Sequence, residues 1–401
     1  MAGLRGKKIL VGVTGSIAAF KAAAWVHALV KEEAGVTVVM TRAATRFVSA
    51  LTFTALSGKP VHVEMFADDP GQVMAHITLG RDADLILIAP ATANTLARLA
   101  HGLADDLLAT AVLAASGKPV LLCPAMNSGM YRHRATQENL ERLRALGYIL
   151  IEPDCGLLAC GDEGPGRLPE WERVREEVLR AFTAQDLSGQ HVLITAGPTR
   201  EPLDPARYLS NRSSGKMGYA LARTAWRRGA RVTLVTGPVA LPPPPGIEVI
   251  RVETAGELYD AVMGIRDQAA IIVKAAAVAD FRPARCEDRK IKKHQATLSL
   301  ELAVNADILA ELGRTRPEGQ VLVGFAAESG NLEEEGRRKL QEKNLDLVVV
   351  NDITRADAGF DVETNQVLLV DRGGSRSLPL LSKEQTADAI WDHVLGLPPR
   401  R

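Results

Sequence analysis

The chain has 401 residues, a length that suggests two or three domains. Hydrophobic residues make up 46%, enough for a buried core, while 4% aromatics argue against stacking platforms for single-stranded nucleic acid. Lys+Arg and Asp+Glu both total 48 and are spread evenly, so no half is a polyanion binder. The basic segment Met1–Lys8 leads into a short apolar run, too short for a signal peptide, and no apolar run approaches membrane-spanning length. Four cysteines do not make a disulfide scaffold. The expectation is a soluble cytoplasmic protein with no nucleic-acid partner and no membrane contact.

In chain order, Lys8–Val13 (KILVGV) reads as a first strand, followed by a helix carrying Ile17, Phe20, Ala24 and Val30 on one side. VTVVMT (Val36–Thr41), an Ala-rich helix, DLILIAP (Asp84–Pro90), an Ala/Leu helix and KPVLLCPAMN (Lys118–Asn127) follow. Strands this uniformly apolar are buried on both faces, which predicts a doubly wound parallel α/β domain. A last helix, about Glu170–Ala184, runs into a polar linker at 185–190. The pattern then restarts with HVLITAGPT (His191–Thr199), a helix over Gly215–Arg228 and RVTLVTGP (Arg231–Pro238). Four prolines, Pro242–Pro245, mark a surface connection. AIIVKAAAVAD (Ala270–Asp280), QVLVGFAAE (Gln320–Glu328) and LDLVVVND (Leu345–Asp352) supply further buried strands. We therefore expect two α/β domains, 1–190 and 191–401.

Thr14-Gly15-Ser16 stands between the first strand and its helix. A helix N-terminus offers free N–H groups, Gly15 admits close approach of an anion, and Ser16 can cap the helix and bond a phosphate oxygen. A tight turn that needs Gly is the competing reading. Gly12-x-x-Gly15 lacks the spacing of a dinucleotide fingerprint. GVTGSIAAFK (Gly12–Lys21), APATANT (Ala89–Thr95), PAMNSGMY (Pro124–Tyr131) and ACGDEGPGR (Ala159–Arg167) then occur in order. Together they resemble the flavin-dependent cysteine decarboxylases, specifically the phosphopantothenoylcysteine decarboxylase half of the bifunctional coenzyme A biosynthesis enzymes. The resemblance implies a flavodoxin-like fold binding FMN through Gly15, Ser16, Thr41, Thr92, Asn94 and Thr95. It also implies a catalytic histidine at His76, a carboxylate-binding asparagine at Asn127 and a proton donor at Cys160. Loss of CO2 from a cysteine carboxylate needs an electron sink that no side chain supplies. In this family the substrate thiol is oxidised to a thioaldehyde, which is that sink, and the resulting enethiol is later reduced. On the residues alone, His76 is more often structural, Asn127 a strand terminator and Cys160 a small buried residue. A metal site at Cys155 and Cys160 lacks a second ligand pair. Gly156, Gly161, Gly164 and Gly166 suit a mobile flap over the substrate.

In the second half, Ile194–Gly218 combines a strand, a polar loop and a helix N-terminus. Its Ser213-Ser214-Gly215-Lys216 is not a P-loop, because Ser210 replaces the first Gly and Met217 the Mg-binding hydroxyl. Arg289–Lys293 carries four cations in five positions, usually a solvated face. Lys339 and Lys343 share one side of a helix, where salt bridges with Glu333–Glu335 are an ordinary alternative. TAGPTREPLDPARYLSNRSSGKMG, AAAVADFR, KIKK and GFAAES in sequence resemble phosphopantothenate–cysteine ligase over residues 191 to about 395. This resemblance implies a Rossmann-like domain that uses CTP with Mg²⁺ to form an acyl-cytidylate, from which cysteine displaces CMP. It implies that Asn211 acts on the acyl-cytidylate with Arg207 nearby and that Lys290 serves the second half-reaction. Ala275, Ala276, Ala277, Asp280, Lys290, Ala306, Asp307, Ile308, Leu309, Phe325, Lys339 and Lys343 are the implied CTP contacts. Ala306 departs from the proline of some relatives, a change that backbone contacts survive. The family also implies ligase dimers, with a contact around the Ala275–Asp280 strand, and decarboxylase trimers, hence a homo-oligomer.

Two other readings compete: a regulatory flavin-binding protein without decarboxylation, and a flavin prenyl transferase. Intact His76 and Cys160 count against the first. The PAMN and ACGD elements and the ligase half count against the second.

Overall fold

The computed structural model describes residues 3–66, 74–292, 299–352, 354 and 362–398. Lys293 of the KIKK run lies outside them. The chain divides into two compact units between Phe182 and Thr183. The polar stretch 185–190 belongs to the second, where Leu187 is buried and its N–H bonds the Arg228 carbonyl at 2.9 Å.

The first unit runs β1 (Lys8–Val13), α1 (Ala19–Lys31), β2 (Gly35–Met40), α2 (Ala50–Ser57), α3 (Ala75–Asp82), β3 (Leu85–Ala91) and α4 (Ala93–His101). It continues with α5 (Leu107–Ala114), β4 (Val120–Pro124), α6 (Ser128–Arg132), α7 (Arg134–Ala145) and β5 (Ile149–Leu150). A hairpin, β6 (Asp154–Leu157) and β7 (Glu163–Arg167), and α8 (Trp171–Phe182) complete it. Strands β2-β1-β3-β4-β5 pair in parallel, the flavodoxin-like order. Strand alternation explains the uninterrupted apolar runs, because each face has its own helical cover. Val11, Leu85 and Leu87 pack with Ala22, Val26 and Leu29 of α1 and Val174 and Val178 of α8. Leu10, Ile86 and Ile88 pack with Leu96, Leu108, Val112 and Leu140 on the other face. Each such fully buried Leu or Ile contributes roughly 1.5–3 kcal/mol.

The second unit runs β8 (His191–Ala196), β9 (Arg200–Asp204), β10 (Arg207–Ser210), α9 (Lys216–Arg227), β11 (Arg231–Thr236), β12 (Glu248–Arg251), α10 (Ala255–Ile265) and β13 (Ile271–Lys274). Then come β14 (Phe281–Pro283), β15 (Leu302–Val304), α11 (Ile308–Thr315), β16 (Val321–Glu328), α12 (Leu332–Glu342) and β17 (Leu347–Asp352). β18 (Thr364–Asn365), β19 (Val367–Asp371), β20 (Gly374–Ser377), β21 (Leu381–Ser382) and α13 (Lys383–Leu395) end the described chain. The main sheet is ordered β12-β11-β8-β13-β16-β17-β19-β20, parallel from β12 to β17, with β19 and β20 antiparallel. Leu221 and Ala225 of α9 and Ile390 and Trp391 of α13 cover one face. The buried Trp391 indole N–H is satisfied by Leu221 O at 3.2 Å and Thr224 Oγ1 at 3.0 Å. Leu258, Leu312 and Leu340, from α10, α11 and α12, cover the other face.

Three expectations are corrected. The run read as one strand through Asp280 leaves the sheet after Lys274. There, Thr195 Oγ1 takes the Ala276 N–H at 3.1 Å and Thr199 Oγ1 the Ala279 N–H at 3.0 Å, replacing a neighbouring strand's carbonyls. The Ala275–Asp280 segment is therefore a connection rather than a strand. A strand is also expected over Ala296–Leu302; residues 296–298 lie outside the described ones, and the strand found starts only at Leu302, running to Val304 antiparallel to β14. Helix α1 starts at Ala19 with Ala18 at its N-cap, so Ser16 stands two residues before the cap, where its Oγ accepts the Ala18 N–H at 3.3 Å. No helix among the described residues is long and apolar enough to cross a membrane.

Candidate active sites

In the first unit, the strand order reverses between β1 and β3, and the loops leaving their C-terminal ends meet there. Thr14 ties them together: its hydroxyl donates to Pro90 O at 2.7 Å and accepts the Thr92 N–H at 3.0 Å. Thr92 Oγ1 in turn caps α4, accepting from Thr95 N at 3.3 Å, and lies 3.1 Å from Thr95 Oγ1. Gly15 is pressed against the next loop, where an added Cβ would stand 2.5 Å from Ala43 Cβ. Around these turns opens a cavity of about 980 Å³. Gly15, Ser16, Thr41, Thr92, Asn94 and Thr95 all line it. Phe47, Met65, Leu107, Leu108 and Met126 add apolar walls, and Arg42 forms a bidentate pair with Glu64 at the rim, at 2.9 and 3.0 Å. Hydroxyls and amides at one end with apolar walls beside them suit a flat ring system carrying a phosphate.

Asn127 caps α6 by accepting the Gly129 N–H at 2.7 Å. Its amide donates to Cys160 Sγ at 3.2 Å and to Asp162 Oδ2 at 2.7 Å, and the Cys160 thiol lies 3.4 Å from the same oxygen. Asn127 and Cys160, 33 residues apart, are thus brought together. The β6–β7 hairpin carrying Cys160 is docked on the turn after β4 through Ser128 Oγ to Pro165 O (2.9 Å) and Met126 N to Gly166 O (3.0 Å). Gly166 allows this: φ is +139°, and a Cβ would stand 2.1 Å from Met126 O. His76 lies on α3 outside the cavity's lining, and no hydrogen bond joins it to that pair among the described residues. Its buried Nδ1 has no partner there either.

In the second unit a cavity of about 440 Å³ opens along β13, β16 and β17, beside the first turn of α9. Asn211, Ala275, Ala276, Ala277, Asp280, Leu309, Phe325, Lys339 and Lys343 line it. Asn211 Nδ2 donates to Val278 O at 2.8 Å. Lys339 pairs with Glu328, and Lys343, just past the end of α12, pairs with Asp307 at 2.8 Å. Burial opposes ionisation of Asp307, but Lys343 and the Ala310 N–H outweigh it and hold the carboxyl below its ordinary range. Arg207, Lys290, Ala306, Asp307 and Ile308 fall outside the lining residues. Arg207 Nη2 donates to Ile291 O at 2.6 Å, beside the exposed Lys290. Asp204 fixes this corner by accepting from Ala206 N (2.8 Å), Arg207 N (2.9 Å) and Ile291 N (3.1 Å). Burial works against its charge, but these amides and the Arg207 guanidinium hold the carboxyl below the usual range.

Several members of both sites were not singled out from the sequence: Thr14, Asp162, Asp204, Glu328 and Lys274. Lys274 offered the clearest signal, a charge ending an otherwise apolar strand, and it lines the second cavity.

A Flavoprotein family model matches residues 2–183, and the model of the DNA/pantothenate metabolism flavoprotein C-terminal domain matches 187–397. The chain is 46% identical over 399 residues to the coenzyme A biosynthesis bifunctional protein CoaBC of Bacillus subtilis (strain 168), covering 98% of each. It is 45% identical over 397 residues to the protein of the same name from Escherichia coli (strain K12), covering 98% of this chain and 97% of that one. Among solved structures, the C-terminal domain of CoaBC is 39% identical, covering 53% of this chain and 97% of that chain with a TM-score of 0.46. The FMN-dependent cysteine decarboxylase SpaF is 35% identical, covering 45% of this chain and 99% of that chain with a TM-score of 0.39. The chain belongs to the family of bifunctional coenzyme A biosynthesis enzymes, uniting a flavoprotein decarboxylase half with a ligase half.

Proposed function

We propose that the second unit joins 4′-phosphopantothenate to L-cysteine at the expense of CTP, and that the first unit decarboxylates the product, 4′-phosphopantothenoyl-L-cysteine, with FMN bound. The observation that carries the decarboxylase reading is the convergence of Gly15, Ser16, Thr41, Thr92, Asn94 and Thr95 on one cavity of about 980 Å³. In that cavity the two hydroxyl-bearing loops would hold the phosphate, and the apolar walls the ring. When bound, the flavin supplies the electron sink and source that side chains lack. Asn127 holds the substrate carboxylate through its amide. Cys160 returns a proton to the product, with Asp162 accepting from its thiol and so orienting it. His76, with an unpartnered ring nitrogen, handles a substrate proton.

In the ligase half, CTP converts a poorly reactive carboxylate into an acyl-cytidylate, and cysteine's amine then displaces CMP. Lys339, Lys343, the Ala275–Asp280 connection and the Ala306–Leu309 segment hold the nucleotide. Asn211 and Arg207 act on the acyl-cytidylate, and Lys290 serves the amide-forming step. Mg²⁺ would accompany CTP and would offset negative charge developing on the phosphate oxygens. Ligase dimers and decarboxylase trimers, working in the cytoplasm, belong to this reading; the exposed Phe281 and Val304 of β14 and β15 favour a covered ligase face.

The deciding experiment is the visible absorption spectrum of the purified protein, with the flavin identified after denaturation. FMN supports the reading. A colourless protein that takes up no added FMN sinks its decarboxylase half. For the ligase half, release of CMP and pyrophosphate with amide formation is expected; the same amide made with ATP alone and not with CTP would overturn the nucleotide assignment.

A further inference from the structure

Lys274 closes β13 in the interior of the eight-stranded sheet, level with Thr195 of β8 and Gly324 of β16. Ile272, two residues earlier, packs in the layer of Leu309, Leu322, Leu340 and Leu345. Strand alternation sends Lys274 to that same face, where an apolar residue would extend the layer. Its side chain instead lines the 440 Å³ cavity together with Asn211. The place is the point where strand order reverses, with β11 on one side of β8 and β13 on the other, the usual ligand crevice of an open α/β sheet.

The charges around Lys274 are unevenly matched. On the neighbouring α12 side, Lys339 is paired with Glu328 and Lys343 with Asp307. Among the described residues, Lys274 lines the cavity with no hydrogen bond or ion pair of its own. Asp280, in the connection after β13, and Asp307, at the cap of α11, act on it only at longer range. Arg212, Lys216 and Lys383 add cations around the same cavity. A half-buried ammonium facing a cavity without a direct ion-pair partner is placed to meet the anion that a ligand brings.

We propose that Lys274 is a further lysine of the ligase nucleotide site, and that its ammonium takes an anionic phosphate oxygen of the bound nucleoside triphosphate. This rests on the nucleotide reading of the second unit. Burial, reinforced by Lys343, pushes the free ammonium down to about 8, and an arriving anion pushes it back up. Binding near pH 8 therefore draws a proton from solution. Affinity is full below pH 8 and declines as pH rises past it, because the free enzyme then presents a neutral amine.

The test is calorimetric titration of the full chain with CTP and Mg²⁺ at pH 8, in two buffers of different ionisation enthalpy, which reads protons taken up. Wild type should take up a fraction of a proton. Lys274→Met should lose that uptake and bind roughly tenfold to a hundredfold more weakly. Lys274→Arg should keep most of the affinity but take up no proton. A Lys274→Met protein with unchanged affinity and uptake overturns the proposal. Should that variant not fold, wild-type uptake in Lys274→Arg overturns it equally. Wild type that binds no CTP at all would overturn the nucleotide reading itself, and this proposal with it.

Discussion

The two cavities are assembled by different means. In the first unit, the hydroxyls of Thr14, Thr92 and Thr95 lock two loops to one another and to backbone amides. In the second, Lys339 and Lys343 are held by carboxylates, and Lys274, which has no ion pair among the described residues, lines the same cavity. Neutral hydrogen bonds between loops survive when a ligand arrives, so the first cavity is pre-shaped for a resident group. Ion pairs compete with an incoming polyanion, so on the proposed nucleotide reading the second would exchange partners at every turnover. On that reading one site retains its ligand and the other releases it.

That contrast can be broken at several points. Cys160→Ser should lower decarboxylation by about 10²–10⁴-fold while ligation is untouched, the product halting at the enethiol stage. Mass analysis of products checks this, and full conversion to the saturated thiol would remove Cys160 from its role. Lys290→Gln should still release pyrophosphate from CTP but form the amide roughly a hundredfold more slowly. Normal ligation at the wild-type rate would reassign that lysine. Gly15→Ala forces a methyl to within 2.5 Å of Ala43 Cβ, so flavin content should fall and the first unit should lose about 1–3 kcal/mol. Flavin absorbance per chain and thermal unfolding read this, and an unchanged flavin ratio would mean that the loop yields.

The smallest expected effect is at Asp204. Its carboxyl is held below the usual range, so its contribution is present at neutral pH, above its unfolded value, and fades as pH falls through the folded one. Asp204→Asn should flatten the acid limb of ligase stability and slow ligation by a few-fold, with no change in decarboxylation. An identical acid limb in the variant would show that the amides around Asp204 do not depend on its charge.

Much of this was legible in the sequence, for a physical reason. Strands covered on both sides must be apolar throughout, so β1, β3, β16 and β17 declare themselves. The residues expected at the flavin site follow the C-terminal ends of β1, β2 and β3, and Ala275–Ala277 of the nucleotide site follow β13. What was not legible depends on partners distant along the chain. Nothing local reveals that Thr14 bonds Pro90 and Thr92, or that Asp204 holds Ile291. The departure of Ala275–Asp280 from the sheet was hidden likewise, because Thr195 and Thr199 supply the acceptors. Lys274 was in plain view, yet a lysine closing a strand reads as its solvent-facing end until its neighbours are known.

The docked stem of the β6–β7 hairpin also sets where this enzyme can diversify. With Gly164 and Gly166 pressed on Ser128 and on the Met126 carbonyl, any side chain there would lever the hairpin off its support. The tip, Leu158 to Asp162, is closed by a 2.8 Å backbone bond between those two residues and is otherwise exposed over most of its length. Descendants that accept differently shaped substrates should therefore carry their changes at Leu158 and Ala159, leaving Cys160 and Asp162 in place, and a directed-evolution library confined to those two positions should yield more functional clones than one spread along the stem.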